Sequence, residues 1–240
     1  IEKPLATSAS AAHTLLAHAE ARGRLLAVGC VLRFSESLNT FRDWLARIGR
    51  LHAVRIEGQS YLPDWRPARP YQESYSARAG EGGVLFDLIH EIDYAGWLFG
   101  WPNALQACLC NVGRLGIQSE ELAELFWETS TRCLVSVRLD YLTRPSRRRI
   151  CATGEEGTLE WDGITQTVTL SQLGKAEQAI QASQERDAMY AQQAQAFLNA
   201  SAGLSEARLA TSKDGMNALA ICDAARAASQ RREEVKVEYA

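Results

Sequence analysis

The stretch GEGGVLFDLIHEIDYAGWLFG, residues 80–100, decides how the rest of the chain is interpreted. A glycine-rich loop opens it, and the apolar residues that follow recur at helical spacing. This pattern predicts a single amphipathic helix, which Gly100 and Pro102 bring to an end. The apolar stripe of this helix comprises Leu85, Leu88, Ile89, Ile92 and Leu98.

Three polar side chains interrupt that stripe: Asp87, His90 and Asp93. Each lies three residues from the next, so in a regular helix they line one edge. A carboxylate one turn from an imidazole orients the ring and stabilises its charge, which a general acid or base requires. The same spacing also fits a purely structural set: an acid in the first helical turn, a core histidine and a solvated acid.

The composition is that of a soluble globular protein, because 46% of the 240 residues are hydrophobic and 23% are charged. The net charge of -3 argues against a nucleic acid partner, and no apolar run approaches the roughly 20 residues that cross a bilayer. The opening residues contain neither a basic segment nor a hydrophobic run, so we expect no secretory leader. The six cysteines lack metal-site spacing, so we expect reduced thiols, no bound metal and a cytoplasmic protein.

Residues 1–32 have the pattern of one parallel α/β unit that starts partway through, with Ile1 at the end of a strand. A turn at Pro4 is followed by a helix over residues 8–22. Residues 25–32 form a largely apolar run, which is typical of a strand buried on both faces of a parallel sheet.

The remainder of the chain predicts an antiparallel sheet with helices, since successive strand-like segments are joined by short turns. Helices are predicted over residues 34–48, 185–201 and 212–229. The second of these is expected to turn four side chains inward: Tyr190, Ala194, Phe197 and Leu198. Strands are predicted over residues 50–61, 104–112, 123–129, 132–141, 147–153, 157–161, 166–172 and 234–239. An arginine run predicts a solvated edge strand: Arg144, Arg147, Arg148 and Arg149.

An irregular segment over residues 61–83, here called the aromatic loop, leads into the helix. Loops of this length are usually either functional or disordered. Disordered loops are poor in aromatic residues, whereas this one contains four. We therefore expect the aromatic loop to be ordered and to bind a ligand beside Asp87 and His90.

The order of the motifs resembles that of the Gfo/Idh/MocA family of NAD(P)-dependent oxidoreductases over nearly the whole chain. The motifs that carry the resemblance are Glu2-Lys3-Pro4-Leu5-Ala6, Arg33-Phe34, the Gly82-Gly83 pair before Asp87, His90 and Asp93, and TGEEGTLE at residues 153–160. Within the aromatic loop, PDWRP followed by YQESYS is similar to the branch of the family found in surface-glycan and nonulosonate gene clusters.

The resemblance implies a Rossmann domain that binds NAD or NADP and a C-terminal α/β domain of the α+β kind. That domain has an open, mostly antiparallel sheet with helices on one face. Residues 1–32 are then the C-terminal remnant of the dinucleotide-binding domain, and residues 33–240 are the substrate-binding, catalytic and oligomerisation domain. The implied reaction is hydride transfer between the nicotinamide and a hydroxyl- or keto-bearing carbon of a sugar or nucleotide-sugar.

Residue by residue, the resemblance makes His90 the general acid or base, with Asp87 assisting it. Lys3 is the amine that touches both the nicotinamide ribose and the reacting oxygen, so Lys3 and Pro4 are the cofactor-binding residues. Asp93 is the second acid on the helix. The substrate-binding residues are then Asp93, Arg66, Arg69, Tyr71 and Tyr75.

Each of these assignments has a structural alternative. Arg66 and Arg69 suit a carboxylate or diphosphate, but they also fit surface arginines stacked on Trp65 or Tyr71. The tyrosines either bond sugar hydroxyls or wall the cleft. Lys3 also fits a solvated lysine that precedes a proline.

The chain departs from the family pattern in two ways. Many members space the aspartate and histidine by four residues rather than three, which leaves open how Asp87 and Asp93 divide their roles. No Gly-x-Gly-x-x-Gly follows a predicted strand, and only about 30 residues of Rossmann type precede Arg33, where such a fold needs on the order of 120. We therefore expect the chain to lack most of the cofactor domain, to be inactive alone and to show no measurable NAD(P) affinity.

Two functions fit these observations. The first is an oxidoreductase of sugar or surface-glycan metabolism, and the alternative is a non-catalytic sugar-binding or assembly module that has lost its cofactor half. In either case we expect a homo-oligomer, a dimer or tetramer, formed through an apolar open face of the sheet.

Overall fold

A computed structural model describes residues 1–239. In chain order its helices are α1 (Ala9–Glu20), α2 (Glu36–Trp44), α3 (Val84–Asp87), α4 (Ile89–Phe99), α5 (Arg186–Ser201) and α6 (Ser212–Arg231). Its strands are β1 (Ala27–Val28), β2 (Leu51–Gln59), β3 (Ala104–Cys110), β4 (Leu122–Glu128), β5 (Leu134–Asp140), β6 (Arg147–Gly154), β7 (Gly157–Asp162), β8 (Thr167–Ser171), β9 (Gln178–Gln181), β10 (Ala210–Thr211) and β11 (Val235–Lys236).

The large sheet has nine strands in the order β11-β3-β4-β5-β2-β6-β7-β8-β9. Its centre is the parallel pair β2 and β5, and the other neighbouring strands run antiparallel. The predicted α/β fold with a mostly antiparallel sheet is therefore confirmed. The long connection between β2 and β5 contains the aromatic loop, helices α3 and α4, and strands β3 and β4.

Strand alternation gives the sheet one face covered by helices and one open face. On β2, Val54 and Ile56 are buried, whereas Arg55 and Glu57 lie on the open side. The open face carries many charged and neutral polar side chains, so the prediction that it is apolar was wrong. The reason is that the covered face takes up most of the apolar residues of each strand. The open-face charges include Arg55, Glu57, Glu124, Arg138, Arg149 and Glu160.

Strand β6 lies inside the sheet, between β2 and β7, so the arginine run does not mark an edge strand as predicted. Alternation places Arg147 and Arg149 on the open face. Arg148 is turned the other way, toward the helices, together with Ile150 and Ala152.

The strand predicted over residues 25–32 is shorter than expected. Only Ala27–Val28 is strand, and it pairs antiparallel with β10. On the other side, the amino group of Ile1 donates to Ala27 O and the N–H of Gly29 donates to Ile1 O, both at 2.8 Å. This is the hydrogen-bond pattern of parallel neighbours, so Ile1 runs parallel to β1.

The helix predicted over residues 84–99 is two helices. Leu88, with φ -102° and ψ 28°, separates α3 from α4. The N–H of Glu91 bonds to Leu88 O at 3.1 Å, while Asp87 O accepts a 2.6 Å hydrogen bond from Lys3 Nζ. Because the helical register is broken between them, Asp87 and His90 do not stack along one edge.

The two C-terminal helices differ in how they are buried. The middle of α6 is buried against the sheet, and a reciprocal capping box between Thr211 and Asp214 begins it. In α5 only Ala196 is buried. The prediction that the apolar side chains of α5 face inward was wrong, because the helix meets the core along a narrow line; the exposed side chains are Tyr190, Phe197 and Leu198.

Candidate active site

A cavity of about 700 Å³ lies between the opening turn, the aromatic loop and the end of α3. Its walls contain seven of the predicted site residues: Lys3, Pro4, Arg66, Arg69, Tyr71, Tyr75 and Asp87. Leu62, Trp65 and Pro70 add apolar surface to the same walls. A concave site in which polar groups converge beside apolar wall is suited to small-molecule binding.

Lys3 is fixed at the wall of this cavity by the backbone of α3. Its ammonium donates to Asp87 O at 2.6 Å and approaches Phe86 O at 3.5 Å. These carbonyls are at the C-terminal end of α3, where cations are favoured. Burial lowers the pKa of Lys3, and the charges of Asp87 and Glu91 partly oppose that shift.

Asp87 is bridged by two tyrosines. Tyr75 Oη donates to Asp87 Oδ1 and Tyr141 Oη donates to Asp87 Oδ2, each at 2.5 Å. Burial, followed by the interaction with Asp87, raises the pKa of both phenols, so they remain protonated donors. Asp87 therefore positions Tyr75 at the cavity wall rather than bonding to His90.

His90 is half-buried and is not among the residues that line this cavity. Its Nδ1 atom is buried and has no hydrogen-bond partner among the described residues. Burial lowers the pKa of His90 well below its usual value, and the charges of Lys3 and Arg148 lower it further. The ring is consequently neutral at physiological pH, the form that accepts a proton.

Asp93 lies away from the cavity, which corrects the prediction that it contacts a substrate. Its two oxygens accept from Arg33 Nη2 at 2.7 Å and Arg33 Nε at 3.0 Å, and its side chain is 3% exposed. Although burial opposes the charge on Arg33, Asp93 and Asp214 raise its pKa. The pair fastens α4 to the turn that contains Arg33.

Arg66 and Arg69 occupy a turn at the tip of the aromatic loop, where Arg69 N donates to Arg66 O at 2.9 Å. Both side chains are exposed, and neither has an ion-pair partner within residues 1–239. Free guanidinium groups beside a cavity can bind a carboxylate or phosphate in bidentate fashion.

The rest of the aromatic loop is fastened to the body of the protein. Arg144 binds Asp64 through two hydrogen bonds of 2.9 and 3.0 Å. The hydroxyl group of Tyr71 donates to Leu115 O at 3.1 Å. Trp65 packs edge-to-face on Tyr141 with 5.5 Å between ring centroids. These contacts agree with the expectation of an ordered loop.

Sequence reasoning missed Tyr141, Glu91 and Arg148 as neighbours of this site. Tyr141 follows β5 directly, where a strand end delivers a side chain to the end of the sheet. Arg148 had a readable signal, because period-two alternation places it on the same side as Ile150 and Ala152. Nothing in the local sequence indicated the burial of Glu91, since that burial depends on Arg148, which lies 57 residues away.

Within residues 1–239 the structure contains neither a cluster of metal-binding side chains nor a helix that could span a membrane. No group of three or more histidine, cysteine, aspartate or glutamate side chains is placed to hold a metal ion. None of the described helices is both long enough and apolar enough to span a membrane.

A match to a protein-family model shows which family this chain belongs to. Residues 40–160 match the model of the GFO/IDH/MocA C-terminal domain. The chain belongs to the Gfo/Idh/MocA family. The resemblance seen in the motifs is thereby confirmed. Among curated proteins, no sequence matches the chain significantly.

Solved structures similar to this Gfo/Idh/MocA chain share its fold at low sequence identity. Levoglucosan dehydrogenase in complex with NADH and L-sorbose gives a TM-score of 0.87 at 16% identity, covering 100% of this chain and 73% of that one. The inositol dehydrogenase homologue from Azotobacter vinelandii, complexed with NAD⁺, gives a TM-score of 0.83 at 15% sequence identity, and the match covers 98% of this chain and 71% of that one. The WlbA dehydrogenase from Bordetella pertussis, in complex with NADH and UDP-GlcNAcA, gives a TM-score of 0.79 at 18% sequence identity, and the match covers 99% of this chain and 70% of that one.

Proposed function

We propose that this protein is an NAD(P)-dependent oxidoreductase that acts on a hydroxyl or keto group of a sugar or nucleotide-sugar, in surface-glycan or sugar metabolism. The observation that carries the proposal is the position of Lys3. Its ammonium is held at 2.6 Å from Asp87 O at the wall of the 700 Å³ cavity. The family membership and the sugar dehydrogenases among the similar structures support the same class of reaction.

The residues at the start of the chain fit a nicotinamide cofactor. Ile1 runs parallel to β1, and Lys3 and Pro4 follow it into the cavity wall, at the carboxyl end of that parallel pair. Ligands of α/β folds bind at this end of parallel strands. Bound NAD or NADP supplies the hydride acceptor or donor of the reaction. We accordingly assign residues 1–32 to a dinucleotide-binding unit and residues 33–240 to the substrate-binding, catalytic and oligomerisation domain.

The protein's own residues then divide the work at the reacting carbon. His90, which is neutral and whose Nδ1 atom is buried, takes the proton of the sugar hydroxyl group on Nε2. Lys3 donates a hydrogen bond to the reacting oxygen and stabilises negative charge on it. Asp87 holds Tyr75 at the wall, where the tyrosine ring orients the sugar.

The two free arginines at the loop tip define the preferred substrate class. We propose that Arg66 and Arg69 bind an anionic group on the sugar, a carboxylate or a diphosphate. The other charged side chains that line the cavity are Glu2, Lys3, Glu73 and Asp87, and both oxygens of Asp87 are already occupied by tyrosines. Among the similar structures, the WlbA dehydrogenase was solved with UDP-GlcNAcA.

The open face of the sheet is proposed as the surface that joins copies of this chain into a dimer or tetramer. Arginines and glutamates alternate on it, including Arg55, Glu57 and Glu160. A surface that carries both charges can pair with a second copy of itself about a two-fold axis.

Sugar binding to the 240-residue chain tests the proposed function. Titration calorimetry with UDP-sugars and free sugar acids is expected to give binding that Lys3→Met weakens at least tenfold. Lys175→Met, which alters an exposed lysine on a distant turn, serves as the matched control. Absence of binding by every sugar contradicts the proposal. Binding that Lys3→Met leaves unchanged favours the non-catalytic sugar-binding module instead.

A further inference from the structure

Strand β9 forms one edge of the nine-stranded sheet, and its outer side has no neighbouring strand among residues 1–239. All four of its residues are exposed. Its sequence, Gln178-Ala179-Ile180-Gln181, contains no charged residue and no proline. Edge strands are commonly protected from pairing with another chain by lysine, by proline or by being very short. The opposite edge strand, β11, has two residues, one of which is Lys236. Strand β9 is therefore the less protected edge.

The backbone groups that β9 turns outward belong to Ala179 and Gln181. The N–H group of Ala182 donates to Gln166 O at 3.0 Å, on the side of β8. Because hydrogen-bonding groups alternate along a strand, every second residue before Ala182 also bonds toward β8. This leaves the N–H and C=O groups of Ala179 and Gln181 facing outward. Within residues 1–239, no turn or loop backbone bonds to them.

Ile180 lies between these two residues and offers apolar surface beside the free edge. Its side chain is 46% exposed. Its partner on β8 is Val168, which is buried, so both side chains point toward the helix-covered face of the sheet. Helix α2 packs over β7 and β8. Ile180 is thus at the rim of the surface that this helix covers.

We propose that β9 pairs antiparallel with β9 of a second copy of this chain, with Ile180 opposite Ile180 of the second copy. A two-fold axis perpendicular to the sheet relates the copies and keeps their helices on the same face. In this register Ala179 exchanges backbone hydrogen bonds with Gln181 of the second copy, and Gln181 does so with Ala179. The two isoleucines meet at a non-hydrogen-bonded position, where Cα atoms are about 4.5 Å apart.

The helices leave room for this pairing. Neighbouring strands are about 4.8 Å apart, so the two copies of β8 would lie about 14 Å apart. A helix with its side chains is about 10–12 Å in diameter, so the copies of α2 would not collide. No charged side chain of β9 faces its own copy. The edge is separate from the open face, and the pairing does not depend on the proposed function.

Sedimentation and light scattering measure the mass of the 240-residue chain in solution and so test the pairing. The wild-type protein is expected to be a dimer, or a tetramer where the open face also joins copies. Ile180→Lys and Ile180→Glu each place like charges opposite one another, so each is expected to halve that mass. An equimolar mixture of the two variants is expected to recover the wild-type mass, because opposite charges then face each other.

Val112→Lys is the matched control and is expected to leave the mass unchanged. Val112 is a comparably exposed β-branched residue that follows β3, near the opposite edge of the sheet. A monomeric wild-type protein overturns the inference, as does a mass that Ile180→Lys leaves unaltered. A mixture of the two Ile180 variants that stays at half the mass overturns the register.

Hydrogen exchange of the edge amides gives a second readout. The N–H groups of Ala179 and Gln181 are expected to exchange at least tenfold more slowly in the wild-type protein than in Ile180→Lys, because pairing removes them from water. Equally fast exchange in both proteins shows that the edge is open and contradicts the pairing, even where the mass indicates an oligomer formed through the open face.

Discussion

Tyr141 Oη donates a 2.5 Å hydrogen bond to Asp87 Oδ2. The strand end after β5 and the end of α3 are thus joined through one carboxylate, which also holds Tyr75. Hydrogen bonds to a charged group contribute about 1.5–3 kcal/mol. We expect Tyr141→Phe to lower the free energy of unfolding by that amount, measured by urea denaturation.

Tyr239→Phe is the matched control for that measurement. The hydroxyl group of Tyr239 donates to a neutral acceptor, Pro102 O, at 2.6 Å. Its removal is expected to lower the free energy of unfolding by only about 0.5–1.5 kcal/mol. Equal losses in the two variants would contradict the bridging role of Asp87.

The buried pair of Arg33 and Asp93 predicts a large stability loss on breaking it. Asp93→Asn leaves the buried guanidinium of Arg33 with only the longer 3.3 Å contact to Asp214, and breaking a buried pair costs about 3–5 kcal/mol. Thermal unfolding followed by circular dichroism measures the loss. The exposed pair of Arg50 and Glu155 is the comparison, and Glu155→Gln is expected to cost at most about 1 kcal/mol. A small loss in Asp93→Asn shows that the pair is not a structural tie.

The lowered pKa of His90 predicts a pH dependence of stability. In the unfolded chain His90 titrates near its ordinary value of 6.5, whereas in the folded protein its pKa lies well below that. Below pH 6.5 the unfolded state therefore binds a proton that the folded state does not. Stability falls as the pH drops from about 6.5 toward the lowered pKa, by up to about 1.4 kcal/mol per pH unit.

Urea denaturation at pH 7.5 and 5.5 measures this effect. His90→Gln cannot take up the proton, so its loss of stability between the two pH values is expected to be smaller than that of the wild-type protein. The exposed His13 serves as the control position, because His13→Gln is expected to keep the wild-type dependence. Parallel curves for wild type and His90→Gln would show that the folded state binds this proton normally.

The position of Tyr75 in the aromatic loop depends on the absence of a side chain at Gly82. A Cβ atom at this position would lie 2.1 Å from the carbonyl oxygen of Tyr75. Gly82→Ala is expected to push Tyr75 away from Asp87 and to destabilise the protein by about 1–3 kcal/mol. At Gly29 an added Cβ keeps at least 3.4 Å from its neighbours, so Gly29→Ala is expected to raise stability by up to about 1 kcal/mol. Chemical denaturation of the two variants checks the contrast.

The loop tip predicts a charge preference in binding. We expect the double variant Arg66→Met/Arg69→Met to bind a sugar acid or nucleotide-sugar at least tenfold more weakly, with neutral sugars little affected. Raising the salt concentration is expected to weaken binding to the wild-type protein, because salt screens exposed charges. The same change is expected to weaken binding to the variant less. Calorimetric titrations at two salt concentrations measure both effects. Equal weakening for charged and neutral sugars would contradict anion recognition.

Most strands were predictable because each carries its own period-two pattern, visible without knowledge of its partner. The register break at Leu88 was not predictable, since the amine that takes Asp87 O belongs to Lys3, 84 residues earlier. The inward prediction for α5 failed for a related reason. The apolar periodicity of a helix does not state how much of its apolar face a neighbour covers.

At the site, sequence motifs brought Lys3, Asp87 and the loop residues together, and the structure places them around one cavity. The pairing of acids with their partners lay beyond the motifs. Spacing alone placed Asp87 and Asp93 beside His90. In the structure Asp87 instead accepts hydrogen bonds from two tyrosines, and Asp93 binds Arg33. A polar side chain's partner is decided by geometry between distant segments.

The aromatic loop is tied down near Asp64, Tyr71 and Tyr75, whereas its tip at residues 66–69 has no such tie. Substitutions at the tip can therefore accumulate with little penalty to folding and without displacing Lys3 or His90. Under the proposed function, substrate preference is free to diversify among descendants while the proposed reacting groups stay constant, and the same four positions are the targets for engineering a new sugar specificity.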